Sequence, residues 1–210
     1  MKFKSNVARV FFNDSSLNYY ISLHDKLFKT IEFMVSNEIA HLLKTNEEKL
    51  KALFTSQPTA FWEKKPEGKW SAGQHVIHLV QSTAPLLKAL RLPKFLLKLR
   101  FGKSSRLSRD YNEVTQRYEE KLAAAGPGVV GPFSRNMPES TSSESEEWFL
   151  KLSKLNSNIN KVTLNLSDKE LDSILLPHPL MGKMTLREIL MWNIHHTHHH
   201  IDILNKKYLN

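Results

Sequence analysis

Three short stretches of this chain read as helix starts that supply their own missing hydrogen-bond partners: Ser71-Ala72-Gly73-Gln74, Ser167-Asp168-Lys169-Glu170 and Thr185-Leu186-Arg187-Glu188. In each, a hydroxyl can accept from the amide three residues on, and the Gln or Glu at that position can reach back to the first residue's own amide. Around them, apolar residues recur at spacings of three and four, the signature of a helix with one buried face. Long helices are predicted near 36–55 (Ile39, Leu42, Leu43, Leu50, Phe54), 72–90, 143–166 (Trp148, Phe149, Leu152, Leu155, Ile159, Val162) and 185–207. Pro85 falls inside the second and cannot donate to the carbonyl of Gln81, so a kink or an early stop is expected there.

Strand alternation is hard to find, and there is no internal repeat. Four long helices without a parallel-sheet pattern predict an all-α protein, an antiparallel four-helix bundle. Residues 36–210 are assigned to this bundle domain and residues 1–35 to an N-terminal extension of unknown role. Between the second and third long helices lies an insertion, Arg91 to Glu147, with a shorter helix from Asn112 to Ala125 that Gly126-Pro127-Gly128 ends. Leu176-Pro177-His178-Pro179 is expected to be irregular.

At 210 residues, 40% hydrophobic and 24% charged, the chain can bury one good core in the manner of an ordinary globular protein. No window approaches the roughly 18 consecutive apolar residues of a membrane span. Val10-Phe11-Phe12 is interrupted by Asn13 and Asp14 before it could form a secretory core, so a cytoplasmic location is expected. With no cysteine there is no disulfide, no thiolate metal site and no cysteine nucleophile. A transition-metal site must then use nitrogen and oxygen ligands, which points to zinc or nickel first and iron or manganese next.

The formal net charge is +9, and Arg91, Lys94, Lys98, Arg100, Lys103, Arg106 and Arg109 fall in one stretch without an acid. Such a stretch suits an anionic small-molecule partner or a solvated face. Its apolar members Phe95, Leu96, Leu97, Leu99 and Phe101 are expected to pack on their own domain rather than on a membrane. Nucleic acid is not expected as a partner, because no helix-turn-helix, zinc-finger or RNA-binding signature is present.

The chemistry is concentrated in His195-His196-Thr197-His198-His199-His200, five histidines in six positions inside the last predicted helix. Because the run is interrupted by Thr197 and continues into Ile201-Asp202-Ile203-Leu204, it does not resemble a purification tag. His196 and His200 share one helical face, about 5–6 Å apart at Cβ, where one metal ion can take both. Their stripe contains Ile189, Asn193 and Ile203 and reads as interior. The stripe of His195 and His199 contains Glu188 and Asp202, expensive to bury unpaired, and reads as solvent-facing. On the second helix His75 and His78 stand three apart, and periodicity does not separate them.

Trp70-Ser71-Ala72-Gly73-Gln74-His75-Val76-Ile77-His78-Leu79 resembles the tryptophan-to-His-Leu motif of the DinB/YfiT-like metalloenzymes, and His196-Thr197-His198-His199-His200 is similar to their His-Thr-x-x-His motif. The resemblance spans roughly Ser36 to Asn205. It implies a four-helix bundle, a divalent-metal site of His78, His196 and His200, and a homodimer paired through bundle faces. Around these ligands Gln74, His75, Asn193, His199 and His178 are candidates for a supporting layer. Gln74 and Asn193 could orient water or substrate, or simply cap and hydrogen-bond, and His178 is read as structural.

Three imidazoles with open positions are the arrangement of a catalytic rather than a structural site. An ion there could activate a water or a thiol. Some members of the resembled family transfer low-molecular-weight thiols such as bacillithiol, and relatives use mycothiol for isomerisation. The resemblance thus implies a metal-dependent enzyme, a thiol S-transferase or a hydrolase, acting on a small, anionic or thiol-bearing substrate. The competing reading is a non-catalytic stress-response module, either metal-stabilised or binding nucleic acid or another anion. No motif places Glu32, Glu38 or Asp202 at the metal.

Overall fold

The computed structural model describes residues 34–126 and 131–209, so the extension expected over residues 1–35 lies outside the described residues except for its last two. In chain order the helices are α1 (Ser36–Thr55), α2 (Ala72–Leu90), α3 (Lys94–Phe101), α4 (Tyr111–Ala125), α5 (Ser145–Thr163), α6 (Asp168–Ser173) and α7 (Leu186–Tyr208). A hairpin of β1 (Leu175–His178) and β2 (Gly182–Thr185) precedes α7. The four long helices close a ring of neighbours, α2 on α5, α5 on α1, α1 on α7 and α7 on α2, which is a four-helix bundle. The fold is all-α apart from the two-stranded hairpin. No helix among the described residues is long and apolar enough to cross a membrane.

Local chemistry sets the helix starts. Ser71 Oγ accepts from the Gln74 amide at 3.2 Å while Gln74 Oε1 accepts from the Ser71 amide at 2.8 Å. Glu170 likewise accepts from the Ser167 amide at 2.9 Å. At α7, Thr185 Oγ1 takes the Glu188 amide and Glu188 takes the Thr185 amide, so the orphan donors of the first turn are met before any tertiary contact forms. The early stop expected at Pro85 does not occur, and α2 continues to Leu90. Leu86, Leu87 and Leu90, the turn beyond the proline, are buried, and their packing outweighs the lost backbone bond.

Two apolar cores lie along α7. Leu186, Ile189, Leu190, Met191, Trp192 and Ile194 belong to one, with Ile39 and Leu43 of α1. Ile201, Leu204 and Tyr208 belong to the other, with Leu50, Trp62, Val76 and Leu79. The polar residues that face inward between Ile194 and Ile201 therefore sit in the seam between two apolar clusters. Gly73 is what allows α2 to approach the second core: a Cβ there would stand 2.2 Å from Cε2 of Trp62, whose side chain is buried.

The structure departs from expectation in three further ways. Glu188, placed on a solvent-facing stripe because an unpaired carboxylate is costly to bury, is completely buried. It is paired: Arg106 clamps both its oxygens at 2.5 and 2.9 Å, and Arg109 adds its amide at 2.7 Å and its guanidinium at 3.2 Å. The stretch that looked free of acids thus meets one from 80 residues away. Second, of the five apolar residues expected to find cover, Leu97 is buried and Phe101 half-buried, while Phe95, Leu96 and Leu99 are exposed. An eight-residue helix presents too narrow a face to dock all five. Third, Leu176-Pro177-His178 is a strand in register with 182–184 rather than irregular. Prolines suit it because both strands are edges that need few amide donors, and Gly182, at φ +75°, makes the turn.

Candidate metal centre

The pitch of α7 turns His196 and His200 inward toward α2, where His78 meets them. His78 Nε2 is 3.1 Å from His196 Nε2, and His200 Nε2 is 3.2 Å from the same atom. His196 and His200 are buried and His78 is half-buried. These three form one of two groups among the described residues whose ligand atoms could hold a metal ion.

Hydrogen bonds outside the triad decide which nitrogens face in. The Tyr208 hydroxyl donates to the Trp70 carbonyl at 2.7 Å, so toward His75 Nε2, 3.0 Å away, its oxygen can only accept. His75 must then carry its proton on Nε2 and offer a lone pair at Nδ1. That lone pair meets His200 Nδ1 at 2.8 Å, so His200 is protonated at Nδ1 and its Nε2 is a bare lone pair aimed at the triad centre. His75 is neutral near pH 7, since burial, reinforced by neighbouring imidazoles, pushes its pKa down to about 3. His78 Nδ1 lies 2.8 Å from Ser134 Oγ, which accepts from it when the His78 Nε2 lone pair faces the same centre.

Burial drives the pKa of His78 down to about 4, and those of His196 and His200 well below the ordinary imidazole value, with the neighbouring imidazoles adding to the effect. All three are therefore neutral near pH 7, as metal ligation requires. Because His200 Nε2 is bare, no placement of protons pairs both Nε2 contacts of His196, so the cluster cannot satisfy itself by hydrogen bonding. A cation about 2.0–2.1 Å from each nitrogen would satisfy all three, and would hold them roughly 3–3.5 Å apart, the range of the two separations from His196. The donor set and its spacing fit a divalent transition metal.

The His196 ring is held by stacking instead of a hydrogen bond: it lies on Trp192 with centroids 4.7 Å apart and planes 19° apart, and its buried Nδ1 has no partner. Trp70, the tryptophan of the sequence motif, packs against His75, His78 and His200 at centroid distances of 5.5, 4.9 and 6.4 Å, and its carbonyl closes the hydrogen-bonded relay.

The other candidates fall as follows. His75 touches His200 directly. Gln74 is occupied by the helix cap and by the Pro138 carbonyl, and Asn193 accepts from Thr83. His178 Nδ1 accepts from the Leu180 and Met181 amides in the hairpin turn, and its ring stands edge-on to Trp192 at 4.2 Å. His199 turns to Glu119 on α4, together with His195. Glu38 caps α1 at the Val35 amide, and Asp202 faces His198. Ser134 and Tyr208 were not singled out in the sequence: Ser134 sits in a Gly- and Pro-punctuated loop, and Tyr208 is two turns beyond His200, past the expected helix end.

Beside His78 and His196 opens a cavity of about 560 Å³. Leu86, Phe101, Tyr118, Leu176, Ile189 and Trp192 supply apolar walls, His178 lies at the rim of the hairpin, and Arg135 is the charged residue of the lining.

A family model of the DinB superfamily matches residues 42–204. This chain belongs to the DinB superfamily. The matched range takes in most of α1, all of α2 and α5, and α7 through Leu204, and with them every histidine of the triad. A comparison with curated proteins returns no match. Within this DinB-superfamily bundle the histidine groups are able to hold a metal ion.

Proposed function

We propose that this DinB-superfamily chain is a metal-dependent enzyme in which His78, His196 and His200 hold one divalent ion, zinc or nickel before iron or manganese. The ion and its nucleophile serve an electrophilic small molecule bound in the adjoining cavity. The observation that carries the reading is the convergence of the His78 and His200 nitrogens on His196 Nε2, at 3.1 and 3.2 Å, on one side of an apolar cavity. When bound, the ion would supply a nucleophile at neutral pH, by lowering the pKa of a water or holding a thiol as thiolate. The absence of cysteine means that a thiol, if used, arrives with a co-substrate, which makes thiol transfer and hydrolysis the two reaction classes.

The chain's own residues do the positioning. Trp192 holds the His196 ring flat against its own, Ser134 orients His78, and the His75–Tyr208–Trp70 relay orients His200. The cavity walls exclude water from one side of the centre and accept an apolar body. The substrate we infer is therefore largely apolar, with its reactive atom at the His78 and His196 end. Arg106 and Arg109 are committed to Glu188, and Arg135 remains to meet one anionic group.

The test is metal analysis of the untagged chain, followed by turnover screens with thiol co-substrates against aryl and alkyl electrophiles, and with esters and amides in water. His196→Ala should remove the tightly held metal and the activity together while leaving helicity intact. Turnover that survives both this substitution and chelation would refute the assignment.

A further inference from the structure

Helix α7 carries a second pair of histidines four residues apart, offset by one position from the first. His195 and His199 lie on the stripe next to that of His196 and His200, and a neighbouring helix again completes the set. Here it is α4: Glu119 Oε1 lies 2.8 Å from His195 Nε2 and 3.3 Å from His199 Nδ1. The three ligand atoms fall within 4.8 Å of one another. We propose that Glu119, His195 and His199 form a second, independent divalent transition-metal site that clamps α4 to α7.

The donor chemistry argues for a metal over a simple ion pair. Two imidazole nitrogens from successive turns of one helix are aimed at a single carboxylate from another, the two-nitrogen, one-carboxylate set that zinc accepts with positions left open. Nitrogen donors select zinc or nickel over calcium or magnesium. The nitrogen-to-oxygen separations of 2.8 and 3.3 Å are close to the roughly 3–3.5 Å between ligands that share an ion about 2.0–2.2 Å away. The site opens to solvent, since Glu119 is exposed and His199 half-buried, so an ion can enter without passing through the triad.

Its consequence is mechanical. Tyr118, next to Glu119, is buried, with its ring centroid 5.8 Å from His195, 6.2 Å from His196 and 6.0 Å from His199. The same ring walls the cavity. An ion bridging α4 and α7 fixes that wall against the triad. The arrangement stands whether or not the triad itself holds a metal.

The experiment titrates zinc into the full-length, metal-free chain against a chromophoric chelator and follows the melting temperature in parallel. Wild type should take up two ions in two phases, with the weaker phase lost in Glu119→Gln and in His195→Ala and the tighter one retained. In His196→Ala the tighter phase disappears, and zinc should still raise the melting temperature, because an ion bound only by the folded chain stabilises it. Adding Glu119→Gln to that variant should abolish the rise. His198→Ala tests the surface pair His198 and Asp202, and should change neither phase. Uptake of one ion by wild type, an unchanged weaker phase in Glu119→Gln, or its loss in His198→Ala would each overturn the second site. The tighter phase and its loss in His196→Ala report on the triad separately.

Discussion

Tyr208→Phe removes one oxygen two turns beyond the nearest triad histidine, and it should weaken metal binding at the triad. The hydroxyl forces the proton of His75 onto Nε2 and, through it, the proton of His200 onto Nδ1. Without it, His75 can move its proton to Nδ1, and the buried contact with His200 is then satisfied by the tautomer whose Nε2 is protonated and cannot ligate. Losing such an outer partner costs about 10–100-fold in metal affinity, which is about 1.4–2.7 kcal/mol. The fold should lose about 1–3 kcal/mol as well, because the Trp70 carbonyl and one His75 nitrogen are left unpaired in the interior. Chelator competition reads the affinity, a urea melt reads the stability, and far-ultraviolet circular dichroism checks that helicity is unchanged. Zinc affinity within a factor of two of wild type, in a variant that is folded and destabilised, would show that the relay does not set the tautomer.

Gly73→Ala should destabilise by roughly 2–3 kcal/mol or prevent folding, because the added methyl would overlap an indole with no room to retreat beside Phe54 and Phe149; a wild-type urea midpoint would contradict the close packing. Glu188→Ala removes the carboxylate that accepts from Arg106, Arg109 and the Thr185 amide, and should cost about 1–3 kcal/mol because the guanidiniums left behind reach solvent, read as a melting temperature lowered by roughly 2–12 °C at about 2–4 °C per kcal/mol. A loss under about 1 kcal/mol would mean the pair is worth no more than a surface bridge. The metal-free chain should lose stability as pH falls from about 6.5 to about 4. Burial lowers His78 and His178 to about 4 and His75 to about 3 from an ordinary 6.5. Across that window the unfolded chain binds protons that the folded chain refuses, so stability rises with pH and is complete above about 6.5. A flat melting temperature over pH 4–6.5 would contradict the burial of neutral imidazoles.

The helices were legible because their signals are local. A capping box spans four residues and an apolar stripe spans one or two turns, so neither depends on what packs opposite; the ends predicted at 55 and 90 match Thr55 and Leu90. The inward face of His196 and His200 was legible for the same reason, since helical pitch and apolar neighbours suffice. The hairpin was not, because four-residue strands are too short to show a period of two, and the proline at 177 argued against them.

What the sequence by itself determined is which residues share a helix face: the paired stripes of α7, the cap at Ser71 and the bundle that follows from four apolar stripes. What only the tertiary structure decided is which face meets which. His75 and His78 are three apart on one helix with similar neighbours, and no local rule sends His78 to His196 and His75 to Tyr208. The register of α2 against α7 does, across contacts 118 and 133 residues apart in the chain. Glu188 is the same case, because its local stripe says that burial is costly while the two guanidiniums that offset the cost arrive from about 80 residues away. The sign of a buried charge's contribution depends on its partner, and the partner is chosen by folding.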